Sequence, residues 1–188
     1  MSLLIASSPL LSTTLQKLTF EEIVDHSALI IQGEVTNINS FSEGGLLYTR
    51  VTLKVDDVLK GDNPGEFIEL DYLGGREGGA VFTVSGQDVP REKERGFYFI
   101  EHPGSRSVNP LTGWSQGHFR IQTDPKGRES LETDIQVDLV ELTDRKDRIL
   151  AEKLRNMKFR TALLEQADYS PVSPDELRDA VRDILAGE

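Results

Sequence analysis

The sequence predicts a mainly β fold: a small antiparallel barrel or sandwich, with a short N-terminal helix before it and C-terminal helices after it. Three observations carry this expectation. Apolar residues alternate with period two in several short runs, as they do in a strand with one wet face. Clusters of Gly, Pro, Asn and Asp separate those runs. Near the C-terminus the apolar spacing changes from two to that of a helix. On this reading residues 1–15 form a leader, 16–142 the β domain and 143–188 a helical C-terminal extension.

The leader carries Leu3 to Leu11, a short apolar run rich in small residues. It lacks a basic stretch before it and is too short to span a bilayer, so it reads as the remainder of a signal peptide, as a plain N-terminal strand or as a disordered leader. A short helix follows. Thr19 is placed to cap it, Glu22 to close a capping box, and Leu18 to pack on Ile23. Its end is expected near His26 or Ser27.

Ala28 to Val35 is β-branched and mostly apolar, which suits a strand buried on both faces. The polar run Thr36 to Glu43 with Gly44-Gly45 reads as a turn. Val51, Leu53 and Val55 then point one way, with Thr52 and Lys54 the other. That strand runs to Val58-Leu59 and stops in the turn Lys60 to Gly65. Ile68, Leu70 and Tyr72 alternate again. Gly74 to Gly79 reads as a flexible hairpin tip leading to a strand from Ala80 to Val84. Pro90 to Glu94 is a charged turn, Phe97 to Ile100 an aromatic strand, His118 to Gln122 another strand, and Asp124 to Gly127 a turn. About six or seven short strands result, a spacing typical of barrels and sandwiches.

Beyond them Ile149, Leu150, Leu154, Met157, Leu163 and Leu164 fall at roughly helical intervals. The last helix is better specified. Ser173 caps it, Pro174 takes its first position, and Asp175 and Glu176 favour its positive end. Val172 can pack on Leu177. Leu177, Ala180, Val181, Ile184 and Leu185 form one apolar stripe, and Gly187 stops it.

Composition narrows the function classes. The chain has 188 residues, 37% of them hydrophobic and 28% charged, a folded rather than a disordered profile. Its net charge of −11 argues against a nucleic-acid partner, because binding to a phosphate backbone depends on Lys and Arg displacing counterions. The chain contains no cysteine, which excludes disulfides, thiolate metal sites and cysteine nucleophiles.

The segments Thr13-Thr14-Leu15, Val58-Leu59-Lys60-Gly61, Gly74-Gly75 and Gly113 to Phe119 occur in an order that resembles a group of uncharacterised bacterial exported proteins. The strand pair ending in Val58-Leu59-Lys60-Gly61 is also similar to the netrin-like domain of tissue inhibitors of metalloproteinases. That second resemblance implies a five-stranded OB-type barrel with flanking helices. In those inhibitors an N-terminal cysteine chelates the target zinc. The present chain lacks cysteine, so the resemblance carries no inhibitory mechanism, and the first group carries no activity.

No motif announces catalysis or a cofactor. His26, His102 and His118 show no metal-ligand spacing and read as surface or turn residues. No Gly-x-Ser-x-Gly elbow is present, and the glycines of Gly74 to Gly79 lack the Gly-Lys-Ser/Thr ending of a phosphate loop. Catalytic, metal and cofactor assignments are therefore none. Two segments remain as binding candidates. Gly74, Gly75 and Arg76 lie in a glycine-rich loop that reads as a hairpin tip or as a recognition loop. Trp114, the sole tryptophan, lies beside Gln116 and His118. Trp114 is either a contact residue or a core plug, and Gln116 either a contact or a partner for buried backbone groups.

Arg145 to Arg160 holds seven basic and two acidic residues, a local charge of +5. Contact with a membrane surface through it is the less favoured reading, and a helix facing water or the acidic domain the favoured one. The resulting expectation is a non-catalytic, extracytoplasmic (periplasmic or secreted) module that binds a protein partner and no nucleic acid. A protease-associated regulator and an undetected hydrolase are the alternatives.

Overall fold

In the computed structural model, which describes residues 17–133 and 172–187, the first helix α1 spans Phe20–His26. Thr19 Oγ1 accepts from the Glu22 amide at 3.1 Å, and the Glu22 carboxylate accepts from the Thr19 amide at 2.7 Å. This reciprocal box satisfies two amides that a helix start leaves open. The expected leader, the 142/143 boundary, the apolar spacing of 149–164 and the basic segment Arg145–Arg160 lie outside the described residues.

Strand β1 spans Leu29–Glu43 and β2 spans Leu46–Lys60. They form one long antiparallel hairpin around Gly44-Gly45. The run Thr36 to Glu43 is thus a strand and not a turn. Its polar side chains pair against β2 residues on a solvated stretch, where alternation rather than apolar content supports a strand. Strand β3 spans Phe67–Leu73, β4 Gly75–Glu77, β5 Ala80–Phe82 and β6 Arg95–Ile100. A single 3-10 turn at Trp114–Gly117 leads into β7, His118–Thr123, and β8 spans Glu129–Glu132.

The main sheet is antiparallel, with order β3-β2-β1-β6-β7-β8. Strands β4 and β5 form a separate two-stranded sheet, so the strand expected over Ala80 to Val84 ends at Phe82. Helix α2, Pro174–Ala186, is capped by a second reciprocal box between Ser173 and Glu176.

The first part of β1, Leu29 to Val35, and strand β6 are covered on both faces. Ile30, Phe97 and Phe99 join one apolar cluster with Phe20, Ile23, Phe119, Leu131, Leu177 and Val181. Leu29, Ile31, Tyr98 and Ile100 face the other way and join Val51, Leu53, Leu70, Tyr72 and Leu111. Helices α1 and α2 cover the first face. The C-terminal helix is tied there by a backbone bond from Leu131 to the Val172 carbonyl (2.8 Å) and by Arg178, which lies over the Phe97 ring at 5.6 Å.

On the second face the sheet curls. A flat sheet would hold β3 and β6 about 14 Å apart, across two intervening strands. Yet Tyr72 of β3 and Tyr98 of β6 share one cluster, and Leu73 donates to the Val108 carbonyl in the loop after β6 at 3.0 Å. The curl does not close into a barrel. Leu70 and Tyr72 of edge strand β3 serve one core while Leu131 of edge strand β8 serves the other, so the two edges have no common seam along which to pair.

Gly33 marks the tightest strand contact. A Cβ at this position would lie 2.5 Å from the Lys54 carbonyl oxygen, beside a register irregularity of β1 against β2. Gly33→Ala is expected to lower the unfolding free energy by about 1–3 kcal/mol, the usual cost of overpacking. Urea denaturation reads this as a lower midpoint at unchanged slope. A wild-type midpoint would mean that the hairpin yields freely there.

Candidate functional site

Register decides which backbone groups of β3 remain open. Val55 donates to the Glu66 carbonyl at 2.9 Å and Gly74 donates to Leu47 at 2.7 Å. In an antiparallel ladder the bonded residues alternate, so Ile68, Leu70 and Tyr72 turn their amides and carbonyls towards β2. Phe67, Glu69, Asp71 and Leu73 turn theirs to the free edge. Only the Leu73 amide meets a protein partner there, the Val108 carbonyl, among the described residues.

A groove of about 620 Å³ runs along this edge. Phe67 to Asp71 line one side. The other is the loop after β6, through His102, Gly104 and Arg106. Phe67 stands at one end with 49% of its surface exposed.

Asp71 anchors the other end. It lies directly opposite Arg50 in the β2–β3 register, so the two side chains share a face. Arg50 grips its carboxylate with both Nε (2.7 Å) and a terminal nitrogen (2.9 Å), and Arg106 Nε reaches the same group at 3.1 Å. Arg50 extends to Glu69 at 3.0 Å, and Arg106 pairs with Glu43. Beneath the guanidinium groups, Phe41 and Tyr48 stack at 5.6 Å, with Arg50 4.8 Å from the Phe41 centroid and Arg106 5.5 Å from each ring. The hydrogen bonds from Arg50, followed by those from Arg106, hold the Asp71 carboxyl below the usual carboxylate range. The same bonds raise both arginines above their ordinary value. This cluster staples the loop after β6 onto the outer face of the sheet.

A second polar cluster lies inside. His118 is buried, contrary to the surface or turn position expected of it, because it sits on β7 opposite Tyr98 of a strand covered on both faces. Its ring stacks on Tyr98 at 4.8 Å. Glu94 lies 3.3 Å from Nε2 and Asp88 3.9 Å from Nδ1. Arg120 joins both acids, with Nε 3.3 Å from Glu94 and a close pair to Asp88. Burial pushes the phenols of Tyr72 and Tyr98 well above their ordinary value, and the nearby Glu94 carboxylate adds to the shift. Neither phenol oxygen has a hydrogen-bond partner among the described residues.

The other candidates have local structural work. Gln116 is buried, accepts from the Leu18 amide at 2.9 Å and donates to the Gly113 carbonyl at 3.2 Å. It thereby ties the chain before α1 to the 3-10 turn, the role of satisfying backbone groups. Trp114 is only partly buried, in a left-handed conformation (φ 61°) after Gly113, and is no core plug. Gly74 and Gly75 rest on the far half of the β1–β2 hairpin. Thr49 donates to the Gly74 carbonyl at 2.8 Å, and a Cβ on Gly75 would meet Ser40 Oγ and Thr49 Oγ1 at 2.7 Å. The Arg76 amide donates to Ser40 Oγ at 3.1 Å. Gly75 and Arg76 belong to β4, so the hairpin tip proper is Gly78-Gly79. The structure does not gather these residues with Trp114 and His118. The first set packs on β1 and β2 beyond the stretch that pairs with β6, the second on β6 and β7.

The groove was missed in the sequence. Its only signal was Arg50 among small or polar neighbours on the wet face of β2, with Asp71 on the corresponding face of β3.

No family model, no curated protein and no solved structure matches the chain. Among the described residues no helix is long and apolar enough to cross a membrane, and no group of three or more His, Asp or Glu side chains could hold a metal ion.

Two outcomes test this geometry. Asp71→Asn is expected to cost about 1–3 kcal/mol at neutral pH, since it leaves two guanidinium groups facing a neutral amide. The folded-state pKa of Asp71 is depressed, so its contribution is full above the unfolded carboxyl pKa and fades as pH falls through the folded value. The gap in urea midpoint between wild type and variant should therefore shrink below about pH 4. A gap that stays constant down to pH 2 would remove the arginine pairing as its cause. For the interior, Tyr98→Phe deletes a hydroxyl without a protein partner and should leave stability equal or up to about 1 kcal/mol higher. A clear loss would show that ordered water satisfies it.

Proposed function

We propose that the chain is a non-catalytic protein-binding module whose contact surface is the groove between β3 and the loop after β6. The observation that carries this reading is an open sheet edge beside a preformed groove, with Phe67 exposed at one end and an arginine clamp at the other. Aromatic and arginine side chains dominate protein contacts because they bring large area and planar hydrogen bonding at small conformational cost. The clamp also fixes the far wall before any partner arrives, which lowers the ordering cost of binding. The charged groups of the clamp are engaged with one another, which suits a rigid contact surface better than proton transfer.

The test is a displayed library of random short peptides panned against the whole chain. A recurrent sequence pattern is expected, with affinity falling at least about tenfold in Phe67→Ser while the unfolding midpoint stays within error of wild type. A library that yields no pattern overturns the reading. Turnover of generic ester or peptide substrates, lost in His118→Gln and kept in Phe67→Ser, would replace it with the hydrolase alternative.

A further inference from the structure

We infer that the groove takes an extended peptide segment of a partner protein as an antiparallel strand added to β3, with a basic residue beside Glu69 and an apolar residue beside Phe67. The inference rests on the protein-binding reading and specifies its mode.

The argument begins with the backbone. Phe67, Glu69 and Asp71 aim their amides and carbonyls into the groove, spaced about 6.8 Å apart as alternate residues of a strand. Another extended polypeptide offers complementary groups at the same repeat. The protein already uses this edge once: Val108 supplies its carbonyl to the Leu73 amide, as the first rung of a strand would. Between Phe67 and Asp71 the opposing loop stands back and leaves the groove open. A strand entering there would continue the ladder from that rung along β3. Antiparallel entry matches every pairing in the sheet.

Side chains choose the sequence. Phe67, Glu69 and Asp71 lie on the outer face, because Leu70 and Tyr72 point into the core. The incoming residues beside them lie on that face too. Asp71 is engaged by two arginines, whereas Glu69 has a single arginine contact and 55% of its side chain exposed. A lysine or arginine beside Glu69 adds a favourable cross-strand pair, and an apolar side chain beside Phe67 covers its exposed ring. Read along an antiparallel partner, the pattern is basic, any residue, apolar. A second copy of this chain fits poorly, since two copies paired about the middle of the open stretch, Phe67 to Asp71, would set Glu69 against Glu69.

The pattern of open amides also supplies a substitution. The Glu69 amide does not bond β2, so proline at this edge position removes a groove-facing donor without breaking the ladder. The experiment measures amide hydrogen exchange by NMR on the whole chain, with and without a saturating short peptide carrying a Lys-Thr-Leu core, alongside its affinity for wild type, Glu69→Pro and Glu69→Ala. Strand addition predicts that the Phe67 and Glu69 amides slow at least about tenfold on binding, while those of Ile68 and Leu70, already bonded to β2, change little. Glu69→Pro should weaken binding at least about tenfold, and Glu69→Ala by less. A peptide that binds without slowing the Phe67 and Glu69 amides overturns strand addition and leaves the binding module standing. If neither this peptide nor any library peptide binds, both readings fall.

Discussion

The segment Leu29 to Val35 must be hidden on two sides at once, and the rest of the molecule follows from that constraint. Ile30 needs one cover, and Leu29 and Ile31 another. An antiparallel sheet ordinarily leaves one face to water. Here the chain spends α1 and α2 on the face of Ile30, Phe97 and Phe99, where three aromatic rings meet edge to face or tilted at 5.3–5.9 Å. No helix among the described residues joins the cluster on the other face. The sheet covers that face with its own strands, by bending β2 and β3 until Leu53, Leu70 and Tyr72 reach Tyr98.

Self-covering by curl is geometrically incomplete. With β8 committed to the helical side, β3 has no strand to meet at its outer edge. One backbone bond at Leu73 and the arginine clamp at Asp71 hold the loop after β6 against it. Those contacts secure one end of the edge and leave Phe67 to Asp71 facing a groove. The clamp is fit for this, because Asp71 is nearly buried and a planar guanidinium satisfies both carboxylate oxygens at once. A single Lys in place of either arginine would supply charge without that geometry.

Local signals in the sequence were legible wherever they are decided by neighbours along the chain. Thr19 with Glu22 and Ser173 with Glu176 form the expected capping boxes, and the helices stop at His26 and at Gly187. Val51, Leu53 and Leu70 point inwards as their alternation implied, and of the run Ala28 to Val35 expected to be buried on both faces, Leu29 to Gly33 and Val35 are buried while Ala28 is exposed and precedes β1. What escaped was set by pairing between strands and not by the pattern within one segment. Thr36 to Glu43 looks like a turn alone and becomes a strand only because Leu46 to Thr52 lies beside it. His118 looks polar and exposed, and is buried because Tyr98 stacks on it and Asp88 and Glu94 flank its nitrogens. The groove needs both the β2–β3 register and the approach of the loop after β6, which no local pattern encodes. For the same reason the tryptophan and the paired glycines, conspicuous as letters, mark backbone geometry more than a shared site.

An open strand edge is a hazard unless something limits what can pair with it. Strand β3 carries three limits. It is short, the chain covers its last outward amide with Val108, and two of its four outward side chains are acids. Asp71 loses most of its repulsive effect to Arg50 and Arg106, which leaves Glu69 as the residue that discriminates. A like charge set opposite it costs about 0.2–1 kcal/mol and an opposite charge gains about as much. The difference between a copy of the chain and a basic partner is then up to about 2 kcal/mol, or roughly thirtyfold in affinity. That is modest against the many main-chain bonds a full strand would form. It is large for a groove only a few residues long, where the side chains decide which extended segment stays.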